Sequence, residues 1–234
     1  MRAIRSVAAV LILTALFPAM VAAQDNPEDQ TGNWLIWNGT IRTSQKWSVF
    51  TEAQVRLWEP ASNVNEIFAR VAGHYNFTPK YMVGLGYMHT GVWSYEVETD
   101  KGPTSRENRI YEQLGFTQDW SRTVLEHRYR LEQRWIQESG DTRYASRFRY
   151  RLQVTTPINR DKLEKGAWFT NFYNELFIAL GSAPEFDQNR LYGAGGYKFT
   201  DLANLQVGLL WQARSNADFL RLQFFYTHNF NLFD

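Results

Sequence analysis

The segment Thr123-Val-Leu-Glu-His-Arg-Tyr-Arg-Leu-Glu-Gln-Arg-Trp-Ile136 alternates along its length. Leu125, Tyr129, Leu131 and Trp135 share one parity, and Glu126, Arg128, Arg130, Glu132 and Arg134 share the other. Successive side chains of an extended strand point to opposite faces, so this spacing makes one greasy face and one charged face. The next segment behaves alike: Tyr144, Phe148, Tyr150, Leu152 and Val154 alternate with Arg147, Arg149, Arg151 and Gln153. Together they read as a hairpin of two long strands.

The pattern recurs outward in both directions. Trp47, Val49, Ala53, Val55 and Leu57 oppose Ser48, Glu52, Gln54 and Arg56. Leu205, Val207, Leu209 and Trp211 continue it near the other end. Eleven such segments fall near 33–43, 46–58, 66–77, 81–95, 106–118, 122–136, 143–156, 167–179, 189–199, 204–214 and 219–230. Most exceed the ~5–6 residues of a soluble strand and reach the ~9–11 or more of a strand that crosses a bilayer. Beyond residue 32 no apolar run approaches the ~20 residues of a transmembrane helix.

Short connections at Ser44-Gln45, Thr78-Pro79-Lys80, Asp119-Trp120-Ser121 and Asp201-Leu202-Ala203 alternate with longer ones near 59–65, 96–105, 137–142, 180–188 and 215–218. Outer-membrane barrels have short periplasmic turns and longer external loops. Pro157 to Gly166 is a long exception. Trp34, Trp37, Trp47, Trp58, Trp93, Trp135 and Trp168 near strand ends suit interfacial girdles. A lipocalin-like barrel or a sandwich also alternates, but strand length, strand number and the stacking of arginine on one face disfavour it.

The expectation is therefore an all-β fold, a single antiparallel transmembrane β-barrel of about 12 strands, with 10 as the alternative. An odd count of eleven leaves one terminus at each end. An added strand or a lumenal re-entry by Gln24 to Gly32, or Asn33 to Thr43 outside the closed sheet, would restore an even count. Glu112 breaks the alternation, since it shares parity with Ile110, Leu114 and Phe116, and a bulge would turn it inward. The chain ends Asn231-Leu-Phe-Asp234, so the terminal aromatic common in such barrels is shifted by one.

Composition agrees. The 234 residues carry 25 Lys+Arg against 24 Asp+Glu, a net charge of +1, which disfavours a nucleic-acid partner. There is no Cys, hence no disulfide and no thiol nucleophile. Nine Trp, 12 Tyr and 16 Phe sit in a chain of mean hydropathy −0.44, too aromatic for disorder and too polar for a helical membrane protein. Residues 1–23 read as a cleaved signal peptide, with Arg2 and Arg5, the apolar Val7 to Phe17 and the small Val21-Ala22-Ala23. A short polar segment, 24–32, then precedes the barrel, 33–234. Export by such a signal and a barrel fold place the chain in the cell outer membrane, with its lipid as partner.

Charge is sorted by position. The inward parity collects thirteen cations: Arg56, Arg70, Arg109, Arg128, Arg130, Arg134, Arg147, Arg149, Arg151, Arg190, Lys198, Arg214 and Arg221. Against them stand five acids, Glu52, Glu66, Glu126, Glu132 and Glu175, a surplus of eight. Other acids, such as Glu59, Glu138, Asp141 and Asp187, read as loop residues. In the central hairpin a loop near 139–140 pairs residues whose numbers sum to about 279. Glu132 then faces Arg147, Arg130 faces Arg149, and Arg128 faces Arg151. Like charges directly opposite are unfavourable, so glutamates or a bound anion must offset them. Two readings follow: a salt-bridged plug, or a site or path for small anionic solutes. Dense pairing of Glu126, Glu132 and Glu175 with the arginines would favour the plug.

Enzyme chemistry is sparse. His127 and His228 point outward, His89 has the greasy parity, and only His74 points inward, with no Ser in an obvious register. No metal-ligand spacing appears, and no cofactor is implied. A lipid-modifying enzyme is motivated by location alone. Gly193, Gly195 and Gly196 lie inside a strand, where Gly marks a bend or close packing.

The series Glu126-His-Arg-Tyr-Arg-Leu-Glu-Gln-Arg-Trp135, Arg147-Phe-Arg-Tyr-Arg-Leu152 with Thr156-Pro157, Asn174-Glu-Leu-Phe177 and Phe186-Asp-Gln-Asn-Arg-Leu-Tyr192 resembles the domain of unknown function 2490 family. The resemblance implies an uncharacterised barrel of Gram-negative envelopes and carries no activity. Its motif residues Arg128, Arg130, Glu132, Arg134, Arg147, Arg149, Arg151, Glu175 and Arg190 coincide with inward charges found by parity.

Overall fold

A computed structural model describes residues 30–95 and 98–233. The expected signal peptide, 1–23, and nearly all of the polar segment 24–32 lie outside the described residues. Eleven long strands follow in chain order: β1 (Gly32–Arg42), β2 (Trp47–Leu57), β3 (Val64–Thr78), β4 (Tyr81–Val92), β5 (Ser105–Trp120), β6 (Thr123–Glu138), β7 (Asp141–Pro157), β8 (Trp168–Leu180), β9 (Pro184–Lys198), β10 (Ala203–Arg214) and β11 (Asp218–His228). A two-residue β12 (Phe230–Asn231) completes a count of twelve. Each long strand pairs with its sequence neighbour, and β11 pairs with β1, so the sheet closes into a barrel.

Closure explains the odd number. Every hairpin reverses direction, so β1 and β11 run the same way, and their pairing from Gly32↔Arg221 to Asn38↔Thr227 is parallel. β12 extends the seam with Ile41↔Phe230 and Arg42↔Asn231. Residues 33–42 thus belong to the closed sheet, and a parallel seam, not an extra antiparallel strand, resolves the count.

The central hairpin turns at Ser139-Gly140, both with positive φ (53° and 92°). Two such residues make the tight turn whose twist matches flanking strands, and Gly tolerates the left-handed backbone there. The register puts Arg128 opposite Arg151, Arg130 opposite Arg149 and Glu132 opposite Arg147, as the index sum requires.

The two faces are the reverse of a soluble barrel's. The polar parity is inward: Glu132, Glu175, Arg130 and Gln223 are buried. The greasy parity is outward, where Leu35, Val71, Leu85, Leu114, Phe172 and Leu209 are exposed. Trp37, Trp47, Trp135 and Trp168 stand on this outer surface. Trp34 does not, because β1 turns its even-numbered side chains inward, and it is buried in the lumen. Trp58 and Trp93 also leave the expected girdle. The Trp58 Nε1 donates to the Trp93 carbonyl (3.1 Å) and the Trp93 Nε1 to the Thr99 carbonyl (3.3 Å), which ties the long loops together.

Glu112 stays on the outer face. The β4–β5 and β5–β6 ladders run unbroken past it, so no bulge turns it, and it accepts from Gln133 Nε2 at 3.0 Å. Glycines make room for large rings on adjacent strands. A Cβ on Gly86 would lie 2.3 Å from the Tyr111 ring, and one on Gly196 would lie 2.3 Å from the Phe169 ring. A ring laid over the opposed glycine covers its bare backbone, which is the close packing expected of Gly196.

Candidate functional site

The arginines and acids form a continuous chain across β5 to β9. Arg134 grips Glu107 through Nε (2.8 Å) and Nη2 (2.9 Å). Arg109 joins Glu107 (Nε, 2.8 Å) to Glu132 (Nη1, 3.2 Å). Glu132 also accepts from Arg147 Nε (3.0 Å) and Nη2 (2.7 Å) and from Arg149 Nη1 (2.6 Å), with Arg130 at 3.9 Å. Arg149 continues to Glu175 through Nε (3.0 Å) and Nη2 (2.8 Å), and Arg128 Nη2 closes on the same oxygen at 2.6 Å. A second, smaller network on β2 to β4 joins Arg70 to Glu52 (2.5 Å) and Arg56 to Glu66, which also accepts from Thr90. Buried ions persist only when paired and hydrogen-bonded, and these networks supply both.

Two members escaped the parity tally. Glu107 has the inward parity of Arg109 and could have been counted. Asp187 could not: the register slips between Phe177 and Ile178, where β9 takes one extra residue, and Asp187 there reaches Arg147 Nη1 at 2.7 Å. A bulge re-aims a side chain against its parity.

The expected residues divide into groups. Arg109, Arg128, Arg130, Glu132, Arg134, Arg147, Arg149 and Glu175 belong to the main network. Glu126 stands apart, accepting from Gln153 Nε2 at 2.9 Å. Arg221 is at the long-loop end, where its Nη1 donates to the Gln30 carbonyl (2.6 Å) and its guanidinium lies 4.6 Å from the Phe219 ring centroid. Arg151 and Arg190 are covered by rings, not carboxylates. Arg151 lies 5.6 Å from the Tyr173 centroid, and Arg190 lies between Phe177 (4.8 Å) and Trp34 (5.1 Å). A ring face attracts a cation but leaves its N–H groups without acceptors.

Below this belt the lumen is hollow. A cavity of about 1010 Å³ is rimmed by the short turns at Ser44 to Lys46 and Thr78 to Lys80 and reaches Arg130, Arg149, Glu175 and Arg190. Leu163, from the long turn after β7, also lines it. Glu107, Arg109, Glu132, Arg134 and Arg147 do not, so these members of the ion-pair belt lie beyond its upper end. Ten cationic side chains and three carboxylates line the walls.

Histidines lie as parity placed them. His74 is buried on the lumenal side; His127 meets the Tyr150 hydroxyl (2.9 Å), and His89 meets Asn108 (2.9 Å), on the outer face. Among the described residues no group of three His, Cys, Asp or Glu converges as a metal site would require.

No curated protein and no solved structure matches this chain. The model of one family, described as protein of unknown function (DUF2490), matches residues 31–223. Spanning most of the barrel, that match makes the chain a member of the DUF2490 family.

Proposed function

We propose that this chain is an outer-membrane β-barrel whose blind lumen binds a small anionic solute. The observation that carries the binding part is the cavity wall, with ten cations against three carboxylates. Arginine clusters in a low-dielectric cleft raise the local concentration of anions. The membrane part rests on the outer face, where exposed Leu, Val, Phe and Trp recur around the barrel. A soluble monomer rarely exposes a contiguous apolar patch larger than a few hundred Å². A signal peptide over residues 1–23 would deliver the chain, and the short turns would face the periplasm.

Binding is favoured over passage because beyond the cavity the interior is occupied by buried side chains, among them Arg109, Glu132, Arg147 and Phe177. A purely structural barrel is the second reading, favoured by the four arginines gathered on Glu132. One set of measurements separates the three. In planar bilayers the purified barrel should show no step conductance. In calorimetry at low salt it should bind succinate, and the triple variant Arg128→Gln/Arg151→Gln/Arg190→Gln should not. Anion-selective steps would restore the passage reading. Absence of binding by succinate, phosphate and acidic sugars alike would leave the structural one. Recovery of the protein away from the outer-membrane fraction would overturn the location.

A further inference from the structure

We infer that the anion taken by this lumen is the head of a lipid, whose acyl chain lies in a groove on the outer face of the barrel. The inference rests on the anion-binding and membrane readings above and narrows the ligand.

On the outer face of β2 to β7 a groove of about 810 Å³ is walled by Trp47, Tyr75, Val83, Leu114, Tyr129 and Phe148. Gly73 keeps it open, since a Cβ added there would meet nothing within 4 Å. Lipid tails are as apolar as leucine, so such a hollow in a lipid-facing wall suits an acyl chain.

The groove runs into the mouth of the lumen. Besides inward side chains, the lumenal cavity is lined by four from the outer face: Phe77, Tyr81, Phe116 and His127. Each stands two residues along its strand from a groove wall: Phe77 from Tyr75, Tyr81 from Val83, Phe116 from Leu114 and His127 from Tyr129. Strand residues two apart share a face and are neighbours on it. Groove and cavity are therefore successive stretches of one surface, joined along β3 to β6.

The register explains why they join there. β4 starts at Tyr81, which pairs with Phe116, and β5 runs on for four residues past Phe116 to Trp120. The wall is low at the β3–β4 turn and tall at the β5–β6 hairpin. The low stretch is a notch that leads from the outer face over the rim and into the lumen.

Cations stand where a lipid head would pass and come to rest. Lys46 lines the cavity, and its Nζ lies 6.0 Å from the ring centroid of Tyr75 in the groove wall. Met82, Gly115, Arg128 and Arg151 are successive register partners from β4 to β7, one position in from the Tyr81–Phe116 pair. Arg128 and Arg151 are half-buried and line the cavity. Arg128 shares Glu175 with Arg149, while Arg151 has no carboxylate within ion-pair distance among the described residues. The groove's one carboxylate, Glu112, lies at the other end, tied to Gln133 at 3.0 Å. It stands four residues above Phe116, about 13 Å along the strand, so it does not repel a head held at the notch. An apolar track that ends on uncompensated cations is complementary to an anionic amphiphile.

The test is native mass spectrometry of the folded, detergent-solubilised barrel, titrated with dodecyl phosphate, ethyl phosphate and dodecanol. One dodecyl phosphate should bind per barrel, about ten-fold or more tighter than ethyl phosphate, because the buried chain adds to binding. Dodecanol should bind about ten-fold or more weakly than dodecyl phosphate. Gly73→Leu and Val83→Trp fill the groove, and each should reduce dodecyl phosphate affinity toward that of ethyl phosphate while leaving ethyl phosphate unchanged. Arg151→Gln should weaken both phosphates. Folding of each variant is checked by heat-modifiable migration on a gel, and two groove variants guard against the loss of one. Equal affinities for the two phosphates, or dodecyl phosphate binding that neither groove variant moves, would overturn the lipid assignment while the anion reading stands. Dodecanol bound as tightly as dodecyl phosphate would overturn the assigned role of the cations. No binding of either phosphate would overturn both readings.

Discussion

Replacing Glu132 with Gln keeps its volume and removes its charge. The carboxylate is fully buried and accepts four hydrogen bonds from three arginines, at 3.0, 2.7, 2.6 and 3.2 Å, with a fourth arginine at 3.9 Å. The amide would keep one acceptor oxygen and turn an N–H₂ donor toward guanidinium donors. Charge-assisted hydrogen bonds contribute about 1.5–3 kcal/mol each. Relaxation of long arginine side chains recovers part of the sum, and breaking a buried pair from one side costs about 3–5 kcal/mol. The expected loss for Glu132→Gln is therefore about 3–5 kcal/mol, read as a shift in the urea midpoint in lipid vesicles by tryptophan fluorescence. Glu126→Gln is the control: it lies on the same strand and parity, partly buried, with one hydrogen bond from Gln153. It should lose about 0.5–1.5 kcal/mol at most. Equal losses for the two variants would refute the claim that the belt depends on Glu132.

Two other outcomes follow from local geometry. Gly86→Ala places a Cβ 2.3 Å from the buried Tyr111 ring and should cost about 1–3 kcal/mol by overpacking, whereas a Cβ on Gly73 meets nothing within 4 Å and Gly73→Ala should be silent in the same unfolding assay. In the loop after β2, Glu59 accepts from the Ser62 hydroxyl and from the Tyr95 hydroxyl (2.9 Å), which hold its carboxyl below the usual carboxylate range. A lowered folded value means the contribution is present at neutral pH and is lost as pH falls through that value. Amide exchange over residues 59–65, corrected for intrinsic rates, should accelerate below that point, and Glu59→Gln should abolish the step.

Much of the site was legible in the one-dimensional pattern. Arg128, Arg130, Glu132, Arg147, Arg149 and Glu175 announce a common face because strand side chains alternate with period two, and their neighbours across the hairpin follow from the turn at Ser139-Gly140. Glu107 was readable by the same rule. Asp187 was not, since one extra residue in β9 changes its face without changing the composition around it. Glu112 shows the converse: a carboxylate at a greasy position stays there, held by Gln133, because continuous ladders on both sides leave no room for a bulge. Trp34, Trp58 and Trp93 resemble girdle residues in position along the chain, yet Trp34 faces the lumen and the other two knit the long loops.

Residue order alone specifies a barrel of long strands with its charges inside and its greasy side chains outside. That information is local, because alternation is a property of each strand alone. How an odd set of strands closes, which acid meets which arginine, and where the pairing stops are set by long-range packing. Those depend on contacts among residues far apart in the chain, made when β11 meets β1 side by side and the lumen acquires a fixed width. Within that width the upper arginines find carboxylates and fill the space. Lower down, Arg128, Arg151 and Arg190 keep N–H groups unpaired around a cavity that no strand could have revealed alone.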